Sequence, residues 1–528
     1  MGFAMTDMLL VRWLLAFSPI AVVLVMMIGF KWSGGRAGAA GWFTALLVAV
    51  LFFGANPRLL AFAQLKGVLL SLYVLYIVWM ALALYNVVNE TGAIEVIGTG
   101  IRRLTENKPM QLLILGWVFS SFLQGVAGFG VPTAVVGPLL MGLGFPAPLA
   151  VVAPSIGHCW SVNFGTLGSS FQALIAVTGL DGFFLAPWSA FFLAAATFLC
   201  GLGVAHSYGG LASLRQTFTA VLIIGTVMAG TQYVLAVAGL WTLAGFVAGM
   251  AGMAACLLVS RLASFRPSDA QLAAQTLANG QPKMSLGLAV SAYGILILVV
   301  CAAELVGPVH KFLNILSLSF YFPEITSDLG RVVPAGFGKK ISVFGHAGAL
   351  LVYTCLISYA VYAARGCYRP GAMKNIISQT VKSGVPTSIG IVSMVCFALI
   401  MDQCGMTYLL AEGISRVFGR AYPLFTPAVG ALGAFMTGSN TNSNVVFGML
   451  QKQTAELASL SVAVILGAQT AGGSLGSMFA PAKILVGCST VGLAGKEGAV
   501  LATTLKYGLV ITGLLGMLAF LVILAGAR

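Results

Sequence analysis

The sequence predicts an all-α polytopic integral membrane protein, built from two inverted repeats that contain broken transmembrane helices or re-entrant hairpins. Three observations predict it. Of 528 residues, 59% are hydrophobic and only 8% charged, with a mean hydropathy of +1.00. Apolar windows close to the ~20 residues that cross a bilayer recur along the whole chain. A pair of glycine-rich interruptions then appears once in each half: FLQGVAGFG (Phe122–Gly130) with GTLGSSF (Gly165–Phe171), and FMTGSNTNSN (Phe435–Asn444) with GSLGSMF (Gly473–Phe479). Glycine and small polar residues are costly in a lipid-facing helix, where a freed backbone group finds no water. Matched breaks in two halves point to a repeated unit with its site at the repeat interface.

The apolar windows lie near 10–30, 38–54, 67–89, 109–126, 183–204, 217–239, 241–260, 284–306, 343–364, 384–402 and 506–526, with broken regions 127–180 and 423–495 between them. The first window is too long for a signal peptide and lacks a small-residue cleavage site, so it reads as a retained span. Residues 1–260 form the N-terminal half and 284–528 the C-terminal half. The segment between them, 261–283, is the most water-compatible stretch and reads as a hydrophilic linker. Segment 307–342, mixed in charge and carrying FYFPEI, reads as an interfacial or re-entrant piece.

The net charge of +14 is not a nucleic-acid footprint, because Lys and Arg collect in short loops as the positive-inside rule expects. Arg261, Arg266 and Lys283 share one loop, and Arg365, Arg369, Lys374 and Lys382 another. Two spans separate these loops, which places both on the cytoplasmic side. The nine cysteines are scattered in apolar segments without CxxC pairing and read as small buried hydrophobes. No Walker motif, HExxH, Cys/His cluster or Ser–His–Asp arrangement occurs, so ATP-driven transport and an embedded enzyme find no support, and no cofactor or metal is expected. A channel would need a continuous polar pore, usually from rings around a symmetry axis, which breaks paired within one chain do not suggest.

A broken helix exposes N–H groups at the start of its second half and C=O groups at the end of its first. The N–H end carries partial positive charge and suits a carboxylate. Ser439, Asn440, Thr441, Asn442, Ser443 and Asn444 form a run of small polar residues between apolar segments, where Asn and Ser can also cap the following helix. Gly472, Gly473 and Gly476 allow close backbone approach, and Pro481 suits the first turn of a resumed helix. Gly125, Gly128 and Gly130, with Gly165 in SVNFGTLGSS, play the matching parts in the first half. Ionisable residues inside membrane segments are functional candidates. His158 and Lys483 qualify, whereas Glu304 and Asp402 read as interface residues near span ends.

These stretches resemble the lactate permease family of secondary transporters. The matching residues are FLQGVAGFGVPTAVVGPLLMGLGF (Phe122–Phe145), FMTGSNTNSNVVFGMLQ (Phe435–Gln451) and the run from AGGSLGSMFAP (Ala471–Pro481) to ILVGCSTVGLAGKE (Ile484–Glu497). The resemblance implies a permease of the cell inner membrane importing L-lactate, D-lactate or glycolate, typically with protons. It also implies kinship with a wider group in which hairpins and broken helices form a mobile transport domain on a scaffold that often dimerises. Ser439-Asn440-Thr441 resembles the carboxylate-site motif of that group's dicarboxylate transporters. Three departures mark a divergent branch. Gln124 and Asn440 stand where the family carries acids, and Ser477 where it carries a lysine, the nearby lysine here being Lys483. An amide cannot titrate, so coupling to a proton, or to sodium, need not use the family's groups. A more electropositive site would also suit a dicarboxylate or a sulfonated acid. The expected substrate-binding set is Gln124, Gly125, Gly128, Gly130, His158, Gly165, Ser439, Asn440, Thr441, Asn442, Gly473, Gly476 and Lys483, with Phe122–Phe171 superposing on Phe435–Phe479.

Overall fold

The protein is described by a computed structural model over residues 2–30, 32–96, 105, 107–126, 128, 130–260, 284–338, 340–493 and 496–526. The expected linker 261–283, with Arg261, Arg266 and Lys283, lies outside the described residues, as do Ala127 and Phe129 of the first break and the side chain of Glu304.

The chain is helical nearly throughout. In order come α1 (Gly2–Ile28), α2 (Gly34–Phe53), α3 (Pro57–Asn89), α4 (Lys108–Val126), α5 (Val131–Gly142), α6 (Ala147–His158), α7 (Gly165–Thr178), α8 (Gly182–Val237), α9 (Trp241–Val259), α10 (Leu286–Leu305) and the short α11 (Gly307–Leu313). After a β segment follow α12 (Ala347–Ala364), α13 (Ala372–Gln403), α14 (Met406–Phe418), α15 (Thr426–Thr437), α16 (Asn440–Leu457), α17 (Val462–Gly476), α18 (Pro481–Thr490) and α19 (Glu497–Leu524). Among the described residues, ten helical stretches are long and apolar enough to cross a membrane. The polar starts are capped as their residue types dictate: Asn56, Asn107 and Asp181 accept from the main-chain N–H of Leu59, Met110 and Phe183 at 2.9, 3.0 and 2.8 Å. The windows near 183–204 and 217–239 join without a loop in α8, which is bent where Gly210 adopts φ +60.

Segment 307–342 is not a re-entrant helix. After α11 it forms nested antiparallel pairs of two-residue strands, β1 (Ser317–Leu318) with β6 (Ile341–Ser342), β2 (Tyr321–Phe322) with β5 (Gly336–Phe337), and β3 (Ile325–Thr326) with β4 (Val332–Val333). The tip of this hairpin is tied to two helix junctions. Asp328 N–H donates to Gly54 O at 2.8 Å, and Arg331 donates to the carbonyls of Gln403 and Asp402 at 3.1 and 3.2 Å.

Helices α1, α2, α3, α13 and α14 pack as one body around Ile20, Val48, Leu59, Phe397 and Leu410. The broken helices α4–α7 and α15–α18 pack with α8, α9 and α19 around a second core that includes Trp117, Phe122, Trp160 and Phe171. Each broken region runs in one order: helix, break, helix, tight turn, helix, break, helix, long helix. The first breaks end on left-handed glycines, Gly130 (φ +90) and Gly438 (φ +71), which only glycine adopts without cost. The second breaks differ. Thr166, Leu167 and Gly168 form a left-handed turn (φ +47, +55 and +75), whereas GSLG (473–476) completes the right-handed α17 and the chain breaks after it, at Ser477–Ala480. Pro481 opens α18 at its first turn.

Candidate functional site

Residues beside the second break of the first half and the first break of the second half meet in a buried polar cluster where α16 and α17 pack against α7. Ser439 caps α16, its hydroxyl accepting from Asn442 N–H at 3.4 Å. Asn440 Nδ2 then donates to Ser474 Oγ, Thr470 Oγ1 and Asn163 Oδ1 at 3.1, 3.3 and 3.4 Å. Thr470 donates to Asn163 Oδ1 at 2.6 Å. One helical turn on, Asn444 Nδ2 donates to Thr470 Oγ1 and Ser170 O at 2.8 and 2.9 Å, and Ser170 and Thr441 share a hydroxyl–hydroxyl bond of 3.0 Å. Residues from both halves thus close one network.

Gly473 is required by this geometry, because a Cβ there would lie 2.0 Å from Asn440 Oδ1. In the first half, Gln124 stands against both breaks. A Cβ on Gly165 would lie 2.7 Å from Gln124 O, and one on Gly128 would lie 2.7 Å from Thr166 Oγ1 and 3.0 Å from Gln124 Nε2. The left-handed Thr166 and Leu167 each cost roughly 1–2 kcal/mol, and such strain persists where surrounding structure holds it, commonly at functional sites. It keeps the Thr166 hydroxyl against the first break.

Several buried polar atoms of these segments have no partner among the described residues: Gln124 Oε1, Trp160 Nε1, Asn163 Nδ2, Asn440 Oδ1 and Asn442 Oδ1. A buried group left unpaired costs about 1–3 kcal/mol, so these atoms, two of them on the bonded pair Asn163 and Asn440, call for a polar guest or water. Donors and acceptors are both present. This suits a ligand that offers both, such as an anion carrying a hydroxyl.

A second buried polar group comes from α6 and α18. His158 is buried, with Nδ1 2.5 Å from Pro154 O. A carbonyl only accepts, so Nδ1 carries the proton and Nε2, which has no partner, presents a lone pair in the neutral ring. Lys483, on α18, is buried, interacts electrostatically with His158 and Cys159, and has no carboxylate or hydrogen-bond partner among the described residues. One turn further along α18, Val486 packs on Gly130 at the start of α5, where a Cβ would lie 3.4 Å from it. The lysine and the positive end of α5 therefore occupy the same flank.

Two of the expected glycines are taken up by helix packing. A Cβ on Gly125 would lie 2.5 Å from Phe246 Cα in α9, and one on Gly476 would lie 2.3 Å from Ala431 O in α15. Conversely, Asn163, Ser170 and Ser474 lie within the motifs, and Thr470 directly before AGGSLGSMFAP, with nothing in the local sequence to single them out. Gln469, which donates to Ser443 and Asn444 at 3.4 Å, and Gln451, hydrogen-bonded to Gln469, Thr426 and Tyr422 at 3.3, 3.3 and 2.6 Å, extend the network. An amide within the apolar run VAVILGAQTAGG was the available signal.

The sequence profile of the L-lactate permease family matches residues 12–525. The glycolate permease GlcA of Escherichia coli K12 is 27% identical over 96% of this chain and 95% of its own length. The L-lactate permease of Salmonella typhimurium is likewise 27% identical, over 96% and 95%. That of Bacillus subtilis is 26% identical over 97% and 98%. With a multi-pass helical membrane fold and breaks meeting at a polar cluster, and matched from near one end to near the other, this chain belongs to the L-lactate permease family.

Proposed function

We propose that the protein is a secondary transporter of small organic anions, of the lactate and glycolate type, working by alternating access across the bacterial inner membrane. The observation that carries this is the set of unpartnered buried donors and acceptors between Asn163 and Asn440. A 2-hydroxy carboxylate would accept from Asn163 Nδ2, the Trp160 indole and the first N–H groups of α16, while its hydroxyl donates to Asn440 Oδ1 or Gln124 Oε1. The repeated order of breaks supports two repeats of inverted topology rocking about this junction. The relatives' substrates point the same way.

A second reading is favoured by one observation, the buried Lys483 without an anionic partner beside amides at Gln124 and Asn440. This surplus of positive charge suits a dicarboxylate or sulfonated acid, moved by uniport or exchange.

Uptake of labelled L-lactate, glycolate and a dicarboxylate into proteoliposomes separates the readings. Saturable uptake of a 2-hydroxy monocarboxylate, outcompeting the dicarboxylate, is expected. Because neither Gln124 nor Asn440 can titrate, an imposed pH gradient at fixed membrane potential should change the rate little, and His158→Gln should abolish what dependence remains. Steep gradient dependence that survives His158→Gln would show that protons travel by another route.

A further inference from the structure

A cavity of about 200 Å³ lies under the β hairpin. That is far above the ~10–15 Å³ that one water needs, and leaves room for a small organic acid with its hydration. Its walls come from every layer of the molecule: Lys66 and Asp402 from α3 and α13, Phe322 and Phe337 from the hairpin, Val177 from α7 and Val445 from α16. Val445 directly follows Asn444, so the cavity adjoins the polar cluster along α7 and α16. The hairpin lies across α12 and α13 from the basic segment Arg365–Lys382, hence on the extracytoplasmic side.

The charges in this cavity do not balance. Lys66 Nζ donates to Gln403 Oε1 at 3.3 Å and lies 4.9 Å from the centre of the Phe322 ring. It forms no ion pair with Asp402 among the described residues. The Asp402 carboxylate is occupied elsewhere, accepting from Gln403 and Gln453 at 3.1 and 3.2 Å. The Arg331 guanidinium is anchored on the main-chain carbonyls of Asp402 and Gln403. Two cations therefore face one carboxylate. An ammonium has three donors, and Lys66 spends one of them on an amide; Asp402, which it shares with Arg331, compensates its charge only in part, in a cavity whose other lining is largely aromatic and aliphatic.

From this geometry we infer that Lys66 marks an entry site for the transported anion, a small carboxylate held at the ammonium beneath the hairpin before it passes to the cluster at Asn440 and Thr441. The inference rests on the reading of the protein as an organic-anion permease. Gln403, held by Asp402, positions the lysine, and Phe322 fixes one face of it.

Acylation of Lys66 by acetic anhydride in the purified protein, quantified by mass spectrometry, tests the site without relying on transport. L-lactate or glycolate should slow acylation at least about threefold against chloride at equal ionic strength, in the wild type and equally in Thr441→Ala, where the inner cluster is disabled. In proteoliposomes Lys66→Gln should raise the half-saturation concentration about tenfold, as loss of one charge-assisted hydrogen bond predicts, and Lys66→Arg should restore most of it. Protection that is absent, or that disappears in Thr441→Ala, would overturn the entry site, as would wild-type uptake in Lys66→Gln. Failure of the underlying reading looks different: the wild type itself would show no saturable uptake of either acid.

Discussion

Asn440→Ala is expected to raise the concentration of L-lactate or glycolate for half-maximal uptake by roughly ten- to hundredfold, with the amount of protein in the membrane unchanged. The amide ties α16 to Asn163 of the first half and to Thr470 and Ser474 of α17, and its oxygen, without a partner among the described residues, is one of the two acceptors proposed for the substrate hydroxyl. Leaving a buried donor of the substrate unpaired costs about 1–3 kcal/mol, and each 1.4 kcal/mol is a factor of ten. Gly473→Ala should reproduce the loss with residue 440 unchanged, because the new Cβ would displace Asn440 Oδ1. Asn440→Asp adds a sign test. A protonated carboxyl donates as the amide does, whereas an ionised one repels the substrate, so uptake by this variant should rise as pH falls. Proteoliposome uptake between pH 5 and 8 would show it, and wild-type affinity in Asn440→Ala would remove the cluster from the site.

Lys483→Met should lose function and gain stability together. Placing an unpaired charge within the membrane costs at least about 2.5–3.5 kcal/mol on insertion scales, and Lys483 has no anionic partner among the described residues. An apolar side chain of similar length removes that cost. In the absence of substrate the variant should therefore melt at or above the wild-type temperature, while its half-saturation concentration rises about tenfold or more. Lys483→Arg should keep partial uptake. If a dicarboxylate is carried, its transport should suffer more than that of lactate, since the second charge has lost its counterpart. Thermal melting of the purified variants beside uptake decides between roles: a lysine that only braces the fold would give lower stability with unchanged affinity.

Much of this architecture was legible because membrane segments leave few alternatives. Broken apolar runs had to be broken helices, and Gly130, Gly438 and Pro481 occupy the positions that their φ preferences dictate. What local sequence could not carry was context. GTLG and GSLG differ at one residue, yet the first is a left-handed turn against Gln124 and the second the end of a right-handed helix against Asn440. Tertiary contact chose between them. The hairpin at 317–342 escaped for a related reason: strands of two residues are too short to show an alternating pattern. Asn163 meets Thr470 across 307 positions of sequence, a pairing that no local motif encodes. Lys66 was visible in principle, as a cation inside an apolar helix, but its surplus charge is defined only by Asp402, Gln403 and Arg331 arriving from elsewhere.

The central claim, that an anion is carried by a site alternately open to each side, is tested most directly by counterflow. Purified protein in proteoliposomes preloaded with unlabelled L-lactate or glycolate is diluted into a trace of the labelled acid with no ion gradient. A transient accumulation of label above equilibrium is expected, absent from vesicles loaded with chloride and abolished in the Asn163→Ala, Asn440→Ala double variant. Equilibration at the same rate whatever is loaded, with no overshoot, would contradict it.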